Sequence, residues 1–118
     1  MGSYQKRHDL DSLLAGLNRL HSLWLGKTES AEDKERVWLS GVVFGIEMGR
    51  SRIIEEGAKR NPNIRAVLTD WINQPASQEI GPGWEGVAGV DCGIRLVIEC
   101  VCRVLRLAPP EAPHATPV

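Results

Sequence analysis

Apolar residues recur along most of this chain at intervals of three and four. From the start they fall at Leu10, Leu13, Leu14, Leu17, Leu20 and Trp24. That is one stripe of period 3.6, the buried face of an amphipathic helix. Asp9 or Asp11 stands where a cap is needed, and Gly26, with Lys27 beside it, stands where the helix is predicted to end. A second helix is predicted over residues 31–59. Ser30 and Asp33 form a variant of the capping box, and Glu32, Asp33 and Glu35 suit the positive end of the helix dipole. Leu39, Val42, Ile46, Gly49 and Ile53 keep 3-4-3-4 spacing, with charges only toward the two ends.

Asn61-Pro62 or Asn63 then opens a shorter helix, whose apolar face is Ile64, Val67, Leu68, Trp71 and Ile72. Residues 74–83, QPASQEIGPG, read as a loop by their prolines and glycines. The last helix is predicted over 84–107. Val87, Val90, Ile94, Val97, Val101 and Val104 form its seam, and Arg95, Glu99, Arg103 and Arg106 a narrow polar stripe. The run IRLVIECVCRV is also rich in β-branched residues and partly alternates, so a strand competes over 94–105. Val97 and Val101 weigh toward helix, because a strand places them among the charges. The fold class is therefore all-α: a small bundle of about four helices, two of them long and apolar. A single domain spans 9–107, with disorder expected over the polar residues 1–8 and the proline-rich residues 108–118.

The stretch GVVFGIEMG puts Gly41, Gly45 and Gly49 on one face of the second helix. Each interior glycine costs about 0.5–1 kcal/mol relative to alanine. Close approach of a second backbone offsets such a cost. The last helix, with Gly86, Gly89 and Gly93, is one candidate for that approach; a second copy of the chain across a two-fold axis is the other. Residues 37–46 carry no charge, and Leu96, Ile98, Cys100, Cys102, Leu105 and Leu107 lie off the main seam of the last helix. Faces this wide favour a homodimer, since an uncovered apolar patch is a liability.

Composition narrows the function more than it names it. The chain has 118 residues, 42% hydrophobic and 25% charged, with formal net charge -1. One domain with a modest core follows, and no global field that draws nucleic acid or anionic lipid. The opening MGSYQKRHDLDS has no apolar leader, and Lys6 stands where myristoylation needs Ser or Thr. The longest uncharged run is about half of the ~20 residues a membrane span requires. A soluble cytoplasmic protein is expected. Cys92, Cys100 and Cys102 are odd in number; Cys100 and Cys102 point apart on a helix, so neither a disulfide framework nor a shared metal is expected. His8, His21 and His114 have no partner at metal or catalytic spacing, and His21 reads as a flank residue. Glu55-Glu56 reads as solvated surface. No cofactor and no enzymatic activity are expected. The basic cluster Arg50, Arg52, Lys59, Arg60 and Arg65, with a helix, Pro75 and SQEIG, loosely suggests helix-turn-helix, but the second helix is short and carries Glu79.

What remains is a protein that acts by binding protein. Trp24 and Trp71 sit on apolar stripes and read as core, whereas Trp38 and Trp84 flank helix starts and suit an interface. The expected partner or dimer surface comprises Trp38, Gly41, Phe44, Gly45, Met48, Gly49, Trp84, Leu96 and Cys100, with Trp38, Phe44, Trp84 and Leu96 as anchors. The body of the chain, including HDLDSLLAGLNRLHSLWLG and VWLSGVVFGIEMG, resembles the QslA-type quorum-sensing antiactivators. That resemblance implies a homodimer that binds the ligand-binding domain of a LuxR-type transcriptional regulator. It implies too that the protein blocks the regulator's dimerisation and DNA binding; from charge and hydropathy, no direct nucleic acid or membrane contact of its own is expected. The alternatives are a small DNA-binding regulator and an inhibitor of an enzyme, such as an anti-defence protein.

Overall fold

The computed structural model describes residues 2–81 and 83–108, with side chains from Asp9 onward. The described residues form five helices: α1 (Gly2–Glu29), α2 (Asp33–Gly57), α3 (Ile64–Asn73), α4 (Ala76–Ile80) and α5 (Val87–Leu105). None of them is in a strand, so 94–105 is helical, as Val97 and Val101 suggested. The proline-rich residues 109–118 lie outside the described region.

Several boundaries differ from the expectation, and α5 is shorter at both ends than the predicted 84–107. α1 begins at Gly2 rather than at Asp9 or Asp11, and it passes through Gly26 to Glu29. Beyond Gly26, the Thr28 hydroxyl donates to the Trp24 carbonyl at 2.9 Å, and the Ser30 hydroxyl reaches the Gly26 and Lys27 carbonyls at 3.2 and 3.3 Å. The Ser30 hydroxyl thereby reaches the Lys27 carbonyl, one of those that a helix end leaves open. Ser30 therefore closes α1 instead of capping α2, whose N-cap Glu32 makes no side-chain capping bond. The expected loop over 74–83 contains α4. Pro75 precedes it, and Asp91 of α5 accepts from the Ser77 N–H at 3.1 Å and the Ser77 hydroxyl at 2.5 Å. By contrast α3 is capped as predicted: Asn63 Oδ1 accepts from the Ala66 N–H at 3.1 Å.

α1, α2 and α5 pack in mutual contact. Leu13 and Leu17 of α1, Val42, Ile46 and Ile53 of α2, and Val90, Val97 and Val101 of α5 are 0–1% exposed and form the centre of the core. Val67 and Leu68 extend it under α3. α1 and α2 are antiparallel, joined by the short turn at 30–32. α2 and α5 are parallel: Gly41 meets Gly86 and Gly89, Gly45 meets Val90 and Gly93, and Gly49 meets Val97. The segment carrying α3 and α4 is the crossover that makes the parallel pairing possible.

The glycines are the reason the two helices approach so closely. A Cβ at Gly41 would overlap the Gly86 carbonyl oxygen, and one at Gly45 the Val90 carbonyl oxygen. The relation is reciprocal: a Cβ at Gly89 would overlap the Trp38 carbonyl oxygen, and one at Gly93 that of Val42. Carbonyls of each helix thus fill the space where the other has no side chain, the arrangement that Cα–H···O contacts use. At Gly49 a Cβ would lie 2.9 Å from a Val97 methyl group. The facing helix is α5 of the same chain. Much of the apolar surplus that pointed to a second copy is covered within the chain.

Candidate functional site

The same packing sorts the expected interface residues. Gly41, Gly45 and Gly49 are buried against α5, and Cys100 is 8% exposed with its Sγ toward Gly16 of α1. None of these four is open to another molecule. Leu96 is half-buried against the core. Trp38, Phe44 and Trp84 are different: they are 40%, 41% and 37% exposed. Large aromatic side chains that remain this open have the composition of interface anchors.

Local structure holds two of the three. Residues 84–86 turn into α5, and the Trp84 ring lies over Gly86, where a Cβ would come within 2.6 Å of Trp84 Cε2. The ring then meets Phe44 edge-on, with centroids 5.5 Å apart and planes at 77°. Gly86 also presents its carbonyl to Gly41. The glycine crossing and the aromatic pair are thus parts of one stack, which orders Trp84 without burying it.

On its other side Phe44 opens into a groove of about 860 Å³ between α2 and the α3–α4 pair. Met48 and Trp71 share its walls; both are half-buried and also pack against the core. Glu47 and Glu55 line the groove from α2, Asp70 from α3 and Glu79 from α4. Arg52 is the one basic residue in this lining.

Two side chains matter in ways the sequence pattern did not suggest. Glu56 is not solvated surface: it is 5% exposed. Its Oε2 accepts from the Asn63 N–H at 2.9 Å, and its Oε1 lies 3.0 Å from Lys59 Nζ and 3.8 Å from Arg52 Nη1. The Asn63 N–H first, and then the Lys59 ammonium, hold its carboxyl below the ordinary value of 4.5. The residue joins α2 to α3. His21 lies on the flank of α1, and there its Nε2 is buried, makes no hydrogen bond, and lies 3.5 Å from the Glu47 carboxylate.

The remaining candidates carry less chemistry. Burial pushes all three cysteine thiols above their ordinary value, which disfavours the reactive thiolate. Among the described residues, no three His, Cys, Asp or Glu side chains gather as a metal site. Nor is any helix among them long and apolar enough to cross a membrane. Of the basic cluster, Arg52 and Lys59 are turned to Glu56, and Arg50 donates to Asn18 Oδ1 at 3.2 Å. The α3–α4 pair has the outline of a helix-turn-helix, but α4 has five residues and faces its carboxylate into the groove. A recognition helix needs a longer, exposed, cation-bearing face. Comparison with protein-family models, curated proteins and solved structures finds no match for this chain.

Proposed function

We propose that this protein is a non-enzymatic inhibitor that acts by binding another protein through an aromatic edge, the paired Phe44 and Trp84 together with Trp38, which is exposed six residues before Phe44 on α2. The single observation that carries this reading is the exposure of three large aromatic residues, Trp38, Phe44 and Trp84. Exposed aromatic anchors of this kind supply most of the binding energy of helix-mediated interfaces. The resemblance to QslA-type antiactivators narrows the partner to a LuxR-type transcriptional activator. In this reading the aromatic edge occupies the surface through which the activator pairs with itself, and so prevents DNA binding. A homodimer belongs to the same reading, supported by Leu23 and Ile54, which are 57% and 49% exposed.

The test is direct. The protein is titrated into a purified LuxR-type activator from the same host while the activator's dimerisation and operator binding are followed. Loss of both is expected. Trp38→Ala and Trp84→Ala are each expected to weaken capture by about 2 kcal/mol or more, with helicity unchanged. If both variants capture the activator as well as the parent protein does, the aromatic edge is not the binding surface.

A further inference from the structure

We infer that the groove beside Phe44 receives a cationic amphipathic helix of the partner, its apolar face on Phe44, Met48 and Trp71 and its lysines or arginines among Glu47, Glu55, Asp70 and Glu79. The inference rests on the reading of this chain as a protein-binding inhibitor and supplies the chemistry of the bound segment.

The groove is continuous with the aromatic edge, because Phe44 belongs to both: it pairs with Trp84 and lines the groove. A partner helix laid on the edge therefore runs on along α2. The floor is the right kind of surface for it. Phe44 and Trp71 offer large, flat apolar area, and Met48 an adaptable thioether side chain. The rim then selects the sign of the charges that flank the partner's apolar face. Four carboxylates line the groove against one guanidinium. That guanidinium, of Arg52, lies 3.8 Å from the carboxylate of Glu56, a residue that is not part of the lining. Among the described residues, no lysine or arginine lies within ion-pairing distance of Glu55, Asp70 or Glu79.

The spacing of the carboxylates favours an extended cation over a point charge. They come from three helices and line the groove without gathering; no three of them approach as a metal site. A helix with basic residues on both flanks of an apolar stripe matches that layout, and it is a common form of peptide docking into a groove. Nucleic acid, which is polyanionic, is repelled by the same rim.

The experiment uses the full chain and two synthetic helical peptides. Both carry leucines along one face; one has lysines on the flanks and the other glutamates. Binding is read from the tryptophan fluorescence of the protein and by calorimetry. The lysine peptide is expected to bind, and more weakly as salt is raised. The variant Glu47→Gln/Glu55→Gln/Asp70→Asn/Glu79→Gln is expected to bind it about tenfold more weakly, since each exposed pair contributes a small factor. These four substitutions are on the surface, and circular dichroism checks that helicity is unchanged. Equal binding of the two peptides, or binding untouched by the four substitutions, overturns the inference. The reading beneath it fails separately. If the four-fold variant still captures the activator but Trp38→Ala and Trp84→Ala do not, the edge stands and the groove is wrong. If no activator is captured although the lysine peptide binds and depends on the four carboxylates, the groove stands with a different cationic partner.

Discussion

A single methyl group separates the two kinds of glycine in this protein. At Gly45 the added carbon meets the Val90 carbonyl oxygen, an atom of helix backbone that cannot turn aside. At Gly26 it meets nothing within 4 Å, inside a helix that runs on to Glu29. Gly45→Ala is therefore expected to destabilise the fold by about 1–3 kcal/mol or more, because α2 and α5 must separate. Gly26→Ala is expected to stabilise it by about 0.5–1 kcal/mol, through helix propensity and a less disordered unfolded chain. Urea unfolding of the two variants decides the matter; a Gly45→Ala protein as stable as the parent would mean that the crossing is not as close as described. The glycine pattern was legible in the sequence because period and residue type suffice for it. The identity of the facing helix was not, since a small-residue face reads alike whether its partner lies in the same chain or in another copy.

At the scale of elements, what could be read depended on how local its causes were. α3 was legible: its cap Asn63 and its apolar face Ile64, Val67 and Leu68 all lie within a few residues of one another. α4 was not, because what holds its first turn is Asp91, fourteen positions beyond Ser77. Glu56 escaped notice for a similar reason. Beside Glu55 it looks like half of a solvated pair, and it becomes buried only when the chain turns back at Asn63. That joint has a pH signature. The folded carboxyl is held below its ordinary value of 4.5, so its contribution to stability is fully present above that value. It is lost as pH falls through the lowered folded value. Glu56→Gln is expected to be less stable than the parent near pH 7, with the gap closing in acid below the ordinary value. Chemical unfolding of both proteins across that range measures it. A gap that stays constant into acid would assign the loss to shape rather than to charge.

The whole molecule extends 50 × 39 × 23 Å, about two helix diameters in its thinnest direction. A body that thin leaves few residues covered on every side, and Leu23 and Ile54 stand well exposed on α1 and α2. Light scattering on a concentrated sample is expected to give the mass of two chains, and Leu23→Glu/Ile54→Glu to return it to one. A parent protein that stays monomeric at high concentration ends the case for a dimer. Trp38 and Trp84 stood out in the sequence because tryptophan beside a helix start is conspicuous; how far they and Phe44 stay exposed is a fact of the packing. The groove was not. Its walls come from α2, α3 and α4, and its charge emerges only when residues 47, 55, 70 and 79 are brought together.

The parallel pairing of α2 with α5 has a consequence during synthesis. The α1–α2 hairpin is complete on the growing chain well before α5 has been made. Until then the face of Gly41, Gly45 and Gly49 has nothing of α5 against it, while the ribosome adds the 36 residues from Ala58 to Gly93. A nascent chain in that state carries a smooth, sticky strip suited to the matching strip of a neighbouring nascent chain. Polysomes crowd such chains together, so speed of elongation through α3 and α4 sets how long each molecule is open to that mispairing before its own last helix closes the seam.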